Sequence, residues 1–262
     1  SVNLEIAGPI VARAGIAAVI IPDEERSLES LIENVAAARR LGIEKIIADP
    51  VLDPVGHNIT ESIVRYHEFH RMYPEVPIFL GAGNVTELMD VDTIGVNALL
   101  CGIGAEAGAS ILFTPEFSDK AQGSIRELRR ASEMMVLSDI RESSPKDLGL
   151  DLLCIKEKRR RPDSPLPENA IQARPSKGWR VDPAGPIRIR IVPDSISGNG
   201  GLIVAEHEKA SVVGKSAREV MDTLLELELV SLLDHAAYLG RELEKAELAL
   251  HFNRSYAQDD VF

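Results

Sequence analysis

Cysteine is scarce in this chain. Only Cys101 and Cys154 occur among 262 residues. Neither belongs to a CxxC pair, which excludes a disulfide framework and leaves a thiolate zinc site without support. Cys101 lies in an apolar segment and reads as a small core residue, and a reduced cytoplasmic setting is expected. Basic residues are in the minority, 29 against 41 acidic ones for a net charge of −12, which argues against a general nucleic-acid binder. No apolar run is long enough for a transmembrane helix, so no membrane partner is expected. The N-terminus lacks a basic segment followed by an apolar one, so no signal peptide is read. The first residue is Ser1 rather than Met, which reads as a processed or cloned piece. There is no GxGxxG after the first strand. Gly214-Lys215-Ser216 is not a phosphate loop, because Lys209 stands where its first glycine belongs. No Gly-x-Ser-x-Gly elbow is present.

What is there is an alternation of short apolar runs and helical spacings. Apolar residues make up 45% of the chain, enough for a core in one large domain or two modest ones. Ala17–Ile21, Lys45–Ala48, Pro77–Leu80 and Ser110–Phe113 read as buried strands. Helices are predicted from Ser27, an N-cap, to Gly42; from Asn58 or Thr60 to Met72; from Asp92 to Ala107; and from Ser124 to Leu137. This βαβ spacing implies a parallel sheet with helices on its faces, either an open doubly wound sheet or part of a (β/α)8 barrel, with the barrel preferred.

Two strand ends carry the chemistry. Ile46-Ile47-Ala48 stops at Asp49-Pro50, and Ile78-Phe79-Leu80 stops at Gly81-Ala82-Gly83-Asn84. Ligands meet a β/α sheet at the C-terminal ends of its strands. A carboxylate that only accepts, beside an amide that donates and accepts, suits a flat, nitrogen-rich heterocycle better than a phosphate. Asp53 is a rival for the acidic role, four residues later in the same loop. His67 and His70 share a helix spacing but lack a third metal ligand. His235 beside Asp234 makes a poor base and orienter, since adjacent helical residues diverge.

Composition changes after Arg141. Ser143-Ser144-Pro145 reads as a linker, and the Arg- and Pro-rich stretch 156–175 as a solvated loop. Strands are predicted over Pro186–Val192 and Gly201–Glu206, joined by a turn at Ser197-Gly198-Asn199-Gly200-Gly201. Ser216 and Glu219 form a capping box. The rest, from Ser216 to Phe252, reads as two helices meeting near Val230-Ser231.

Together with Ser1-Val2-Asn3 and Gly95-Val96-Asn97-Ala98-Leu99-Leu100, the two strand ends resemble the later strands of the pterin-binding barrel superfamily. That superfamily includes dihydropteroate synthases and methyltetrahydrofolate methyltransferases serving corrinoid proteins. The likeness is greatest to the dihydropteroate synthase-related proteins of tetrahydromethanopterin metabolism. Their additional C-terminal domain is similar here around His235-Ala236-Ala237-Tyr238-Leu239-Gly240-Arg241. The resemblance implies an α/β fold in which residues 1–140 form the C-terminal half of a (β/α)8 barrel, strands four or five to eight, and residues 141–262 a smaller α+β domain. It implies that Asn3, ending the fourth strand, contacts a pterin with Asp49 and Asn84. The pterin enters as substrate or ligand in folate or methanopterin metabolism. If a diphosphate is bound, magnesium would accompany it. Two departures qualify a synthase activity. Asn84 stands where synthases carry a basic motif, and Phe113-Thr114-Pro115-Glu116 replaces the Arg and His of the last strand. Methyl transfer from a methylpterin to a corrinoid protein, or a non-catalytic assembly role, are the alternatives. A half barrel would require a homo-oligomer or the remainder of a longer chain to close it.

Overall fold

The computed structural model describes residues 2–175, 178, 180–193 and 200–261. They fall into two compact units, Ser1–Pro162 and Asp163–Phe262. Among the described residues no helix is long and apolar enough to cross a membrane.

The first unit opens with helix α1 (Val2–Ala14). Asn3 therefore lies in the first turn of a helix and not at a strand end, as the resemblance implied, and it is exposed. The helix is hard to read because it contains Gly8 and Pro9, both poor helix formers. Tertiary packing holds it: Leu4, Val11 and Ala12 meet the core, and Leu41 lies so close to Gly8 that a Cβ there would be 2.6 Å from its Cδ1.

Strands and helices then alternate: β1 (Ala18–Ile20), α2 (Leu28–Arg40), β2 (Ile46–Ala48), α3 (Ile59–Met72), β3 (Ile78–Gly81), the single turn α4 (Gly83–Thr86), α5 (Thr93–Glu106), β4 (Ala109–Phe113) and α6 (Ser124–Ile140). Ser27 caps α2 by accepting from the Ser30 backbone N–H at 3.1 Å. The four strands are parallel and ordered β1-β2-β3-β4 without reversal.

Register separates the two faces of this sheet. Ile20, Ile46, Ala48, Ile78 and Leu80 are buried with the helices, in one core with Leu31, Val35, Phe69, Leu100 and Cys101. The other face carries Val19, Ile47, Phe79, Ile111 and Phe113, with Phe79 and Phe113 stacked at 5.5 Å. It is apolar, yet Val19 and Phe113 remain 47% and 51% exposed.

The second unit is an antiparallel sheet of β5 (Arg188–Pro193), β6 (Gly201–Glu206) and β7 (Ser211–Gly214), with α7 (Ala217–Glu226) and α8 (Leu233–His251). Strand β7 is absent from the sequence reading because its turn, Glu208-Lys209, lacks the glycine or asparagine that marks most two-residue hairpins. His207 and Ala210 close that turn with mutual backbone hydrogen bonds. The expected turn at Ser197-Gly198-Asn199 lies outside the described residues. Ser216 and Glu219 form the anticipated capping box. One face of the sheet packs Ile189, Ile203, Ala205 and Val212 against Val220, Leu224, Leu239, Leu243 and Ala246. Leu233, the first residue of α8, is 90% exposed, while His235 in the same turn is buried.

Candidate functional site

The residues following β2 build the centre of the candidate site. Asp49 is half-buried. Its Oδ1 accepts from the Tyr66 hydroxyl and from the Val51 backbone N–H, both at 2.8 Å. Among the described residues, Oδ2 receives no hydrogen bond. Burial raises the pKa of Asp49 above the usual carboxylate value, against the opposing pull of Tyr66, Val51 and the Arg65 charge. Burial, and then the adjacent carboxylate, also raise the Tyr66 phenol, which keeps it a proton donor.

Arg65 holds the loop in shape. Its Nε donates to Pro50 O at 2.7 Å, and Nη2 donates to Val51 O at 2.6 Å and Asp53 Oδ2 at 3.1 Å. Between these anchors Val51 adopts φ +65°, a left-handed conformation that a β-branched residue takes only under constraint. Asp53 has both carboxylate oxygens engaged. It is buried, and its carboxylate is paired with both Arg26 and Arg65. Of the two acids left open by the sequence, Asp49 retains the unclaimed oxygen.

The next strand end touches the same loop. Asn84, exposed in α4, donates from Nδ2 to Leu52 O at 2.7 Å. Its carbonyl Oδ1 makes no hydrogen bond among the described residues. Gly83 before it is required by contact: a Cβ there would sit 2.6 Å from Pro115 Cδ in the loop after β4. At the β1 exit, buried Asn34 donates to Ile21 O at 3.0 Å and to Asp23 Oδ1 at 3.1 Å. The structure thus brings Asp49 and Asn84 to one loop, and gives no such link to Asn3.

A second constellation lies in the other unit. Buried Asp182 accepts from the backbone N–H groups of Ala184, Ser231 and Leu232 at 2.9, 2.9 and 3.0 Å, from the Ser231 hydroxyl, and from His235 Nδ1 at 2.8 Å. Burial opposes ionisation, but these bonds outweigh it and hold the carboxyl well below its ordinary pKa. The sequence showed only Asp234 beside His235, a pairing it made poor. The actual partner is 53 residues away, and no local pattern signals it. Among the described residues no cluster of His, Cys, Asp or Glu could hold a metal ion. The His70 ring lies against Gly108.

Residues 181–259 match the family described as PterinBD-DUF4346. The match begins one residue before Asp182 and lies entirely within the second unit. The chain is also 39% identical over 280 aligned residues to an uncharacterized protein of Methanocaldococcus jannaschii. That alignment covers 99% of this chain and 53% of the relative. The chain therefore spans about half the length of the curated relative it matches.

Proposed function

We propose that the protein binds a pterin at the strand-end face of its first unit, as a dihydropteroate synthase-related protein of folate or methanopterin metabolism. The observation that carries this reading is Asp49, fixed through one carboxylate oxygen and open through the other. A pterin presents a 2-amino group and a ring N–H side by side. A positioned carboxylate accepts from that edge, and the bond is strongest where the acid is partly desolvated. Asn84 supplies an unclaimed carbonyl at the neighbouring strand end. Because burial raises the Asp49 pKa, donors on the ligand favour its ionised form, and binding releases a proton over the pH range in which free Asp49 is partly protonated.

The barrel belongs to this proposal. Its supports are the consecutive parallel order of the four strands, the apolar uncovered sheet face and the greater length of the relative. A barrel interior is packed with apolar side chains from such a face. Asn3, in the first turn of α1, is left out of the site proposed here.

The family match favours a second reading, in which the pterin binds to the second unit. Calorimetric titration of the full-length protein with a reduced pterin distinguishes the two. Asp49→Asn keeps the side chain's shape but removes its charge. At least about a tenfold loss of affinity is expected from losing a charge-assisted pair. Unchanged affinity moves the site away from Asp49.

A further inference from the structure

We propose that the strand-end face of the first unit takes a ligand whose group over β4 is neutral or cationic, and that Glu116, with Glu87, excludes an anionic one. This rests on the strand-end face being the ligand face. In β/α folds, phosphates are held there by backbone N–H groups at loops and helix starts, where the helix dipole favours negative charge. Around the end of β4 in this protein, four such donors are already occupied by the chain's own carboxylates. Glu116 Oε1 accepts from Gly123 N at 3.0 Å and from Ile125 N at 2.9 Å, at the start of the 17-residue helix α6. Glu87, immediately after α4, accepts from Phe117 N at 2.8 Å through Oε1 and from Ser118 N at 3.0 Å through Oε2.

Both carboxylates belong to the wall that carries Asn84. Pro115, next to Glu116, packs on Gly83, and Ala82 N donates to Phe113 O at 2.8 Å. Lys120 in the same loop is also committed, since its Nζ donates to Met89 O and Asp90 Oδ1, both at 2.8 Å. An arriving phosphate or diphosphate would have to displace a carboxylate from its donors and then lie beside that negative charge. A neutral or positively charged substituent meets no such penalty and gains from the acidic wall.

Inorganic pyrophosphate is the probe that separates this inference from the pterin reading. It is titrated into the wild-type chain and into Glu116→Ala and Glu116→Gln, with heat and the amide shifts of Gly123 and Ile125 as readouts. The wild type should show no saturable binding. Glu116→Ala should bind saturably, at least about tenfold more tightly than the weakest binding the titration can detect, the scale of freeing a helix start for an anion. Glu116→Gln, which can keep both hydrogen bonds and hence the loop, should gain less. Saturable binding by the wild type with shifts at Gly123 and Ile125 overturns the proposal. So does the lack of any gain in both variants. Failure of the pterin titration would bear on the ligand alone.

Discussion

Asp182→Ala offers a direct test of what holds the second unit together. The side chain accepts five hydrogen bonds, one within the segment before β5 and four that join that segment to the start of α8. Removing it strands the N–H groups of Ala184, Ser231 and Leu232, the Ser231 hydroxyl and His235 Nδ1. Each buried group left unsatisfied costs about 1–3 kcal/mol, though such penalties do not add when neighbours relax or water enters. A loss of about 3–5 kcal/mol is expected, close to that for breaking a buried ion pair. For a unit of this size the melting point should fall by at least about 12 °C. Asp182→Asn should do nearly as badly, because its amide NH2 turns a donor toward donors. The pH dependence has a definite sign. The folded pKa of Asp182 is depressed, so its contribution is present above about pH 3.9, the unfolded value, and is lost as pH falls below that. Urea unfolding of the full chain, read by hydrogen exchange in α8, measures both effects. An unfolding free energy within about 1 kcal/mol of the wild type, or an unchanged acid slope in Asp182→Asn, would refute the argument.

Two further substitutions test packing and edge protection. Gly108 combines φ +79° with His70 ring atoms 2.3 Å from where a Cβ would lie, so Gly108→Ala should cost the first unit about 2–4 kcal/mol, from left-handed strain and a clash with the half-buried His70 ring; an unaltered urea midpoint would contradict this. Gln258 acts as a substitute strand for the β5 edge, accepting from Ile189 N at 2.8 Å and donating to Ile187 O at 3.2 Å. Gln258→Ala should cost about 1 kcal/mol and speed exchange of the Ile189 amide, and unchanged protection there would show that the edge is covered by something else.

What could be read from the sequence was local. Ser27 capping α2, the Ser216–Glu219 box and the apolar runs ending at Asp49 and Gly81 each lie within a few residues of the signal that announces them. What could not be read depends on partners distant in the chain. Asp49 and Asp53 are equivalent as sequence. They part company only because Arg26 and Arg65, 27 and 12 residues away, claim Asp53. His235 looked unpaired because Asp182 lies in another segment. Helix α1 was missed because its intrinsic propensity is poor and core contacts supply the difference, and β7 because its turn uses residues without a turn signature.

The same division bears on where a pterin would sit. The family match occupies 181–259 and contains neither Asp49 nor Asn84, so it gives no direct support to the strand-end site. That site rests on its own geometry: a carboxylate half-committed to Tyr66 and Val51, a strained Val51 held between Asp49 and Arg65, and an amide reaching across to the same loop. Strain of this kind persists only where the surroundings over-determine it. If it serves to aim Asp49, Arg65→Lys, which replaces the fork with a single ammonium, should weaken pterin binding while leaving the core of α3 intact. The expected loss is about 1–2 kcal/mol in affinity, or roughly tenfold, measured beside Asp49→Asn in the same titration. Loss in Asp49→Asn with full affinity in Arg65→Lys would mean that the carboxylate binds without needing the loop, and the strain at Val51 would then be a matter of folding alone.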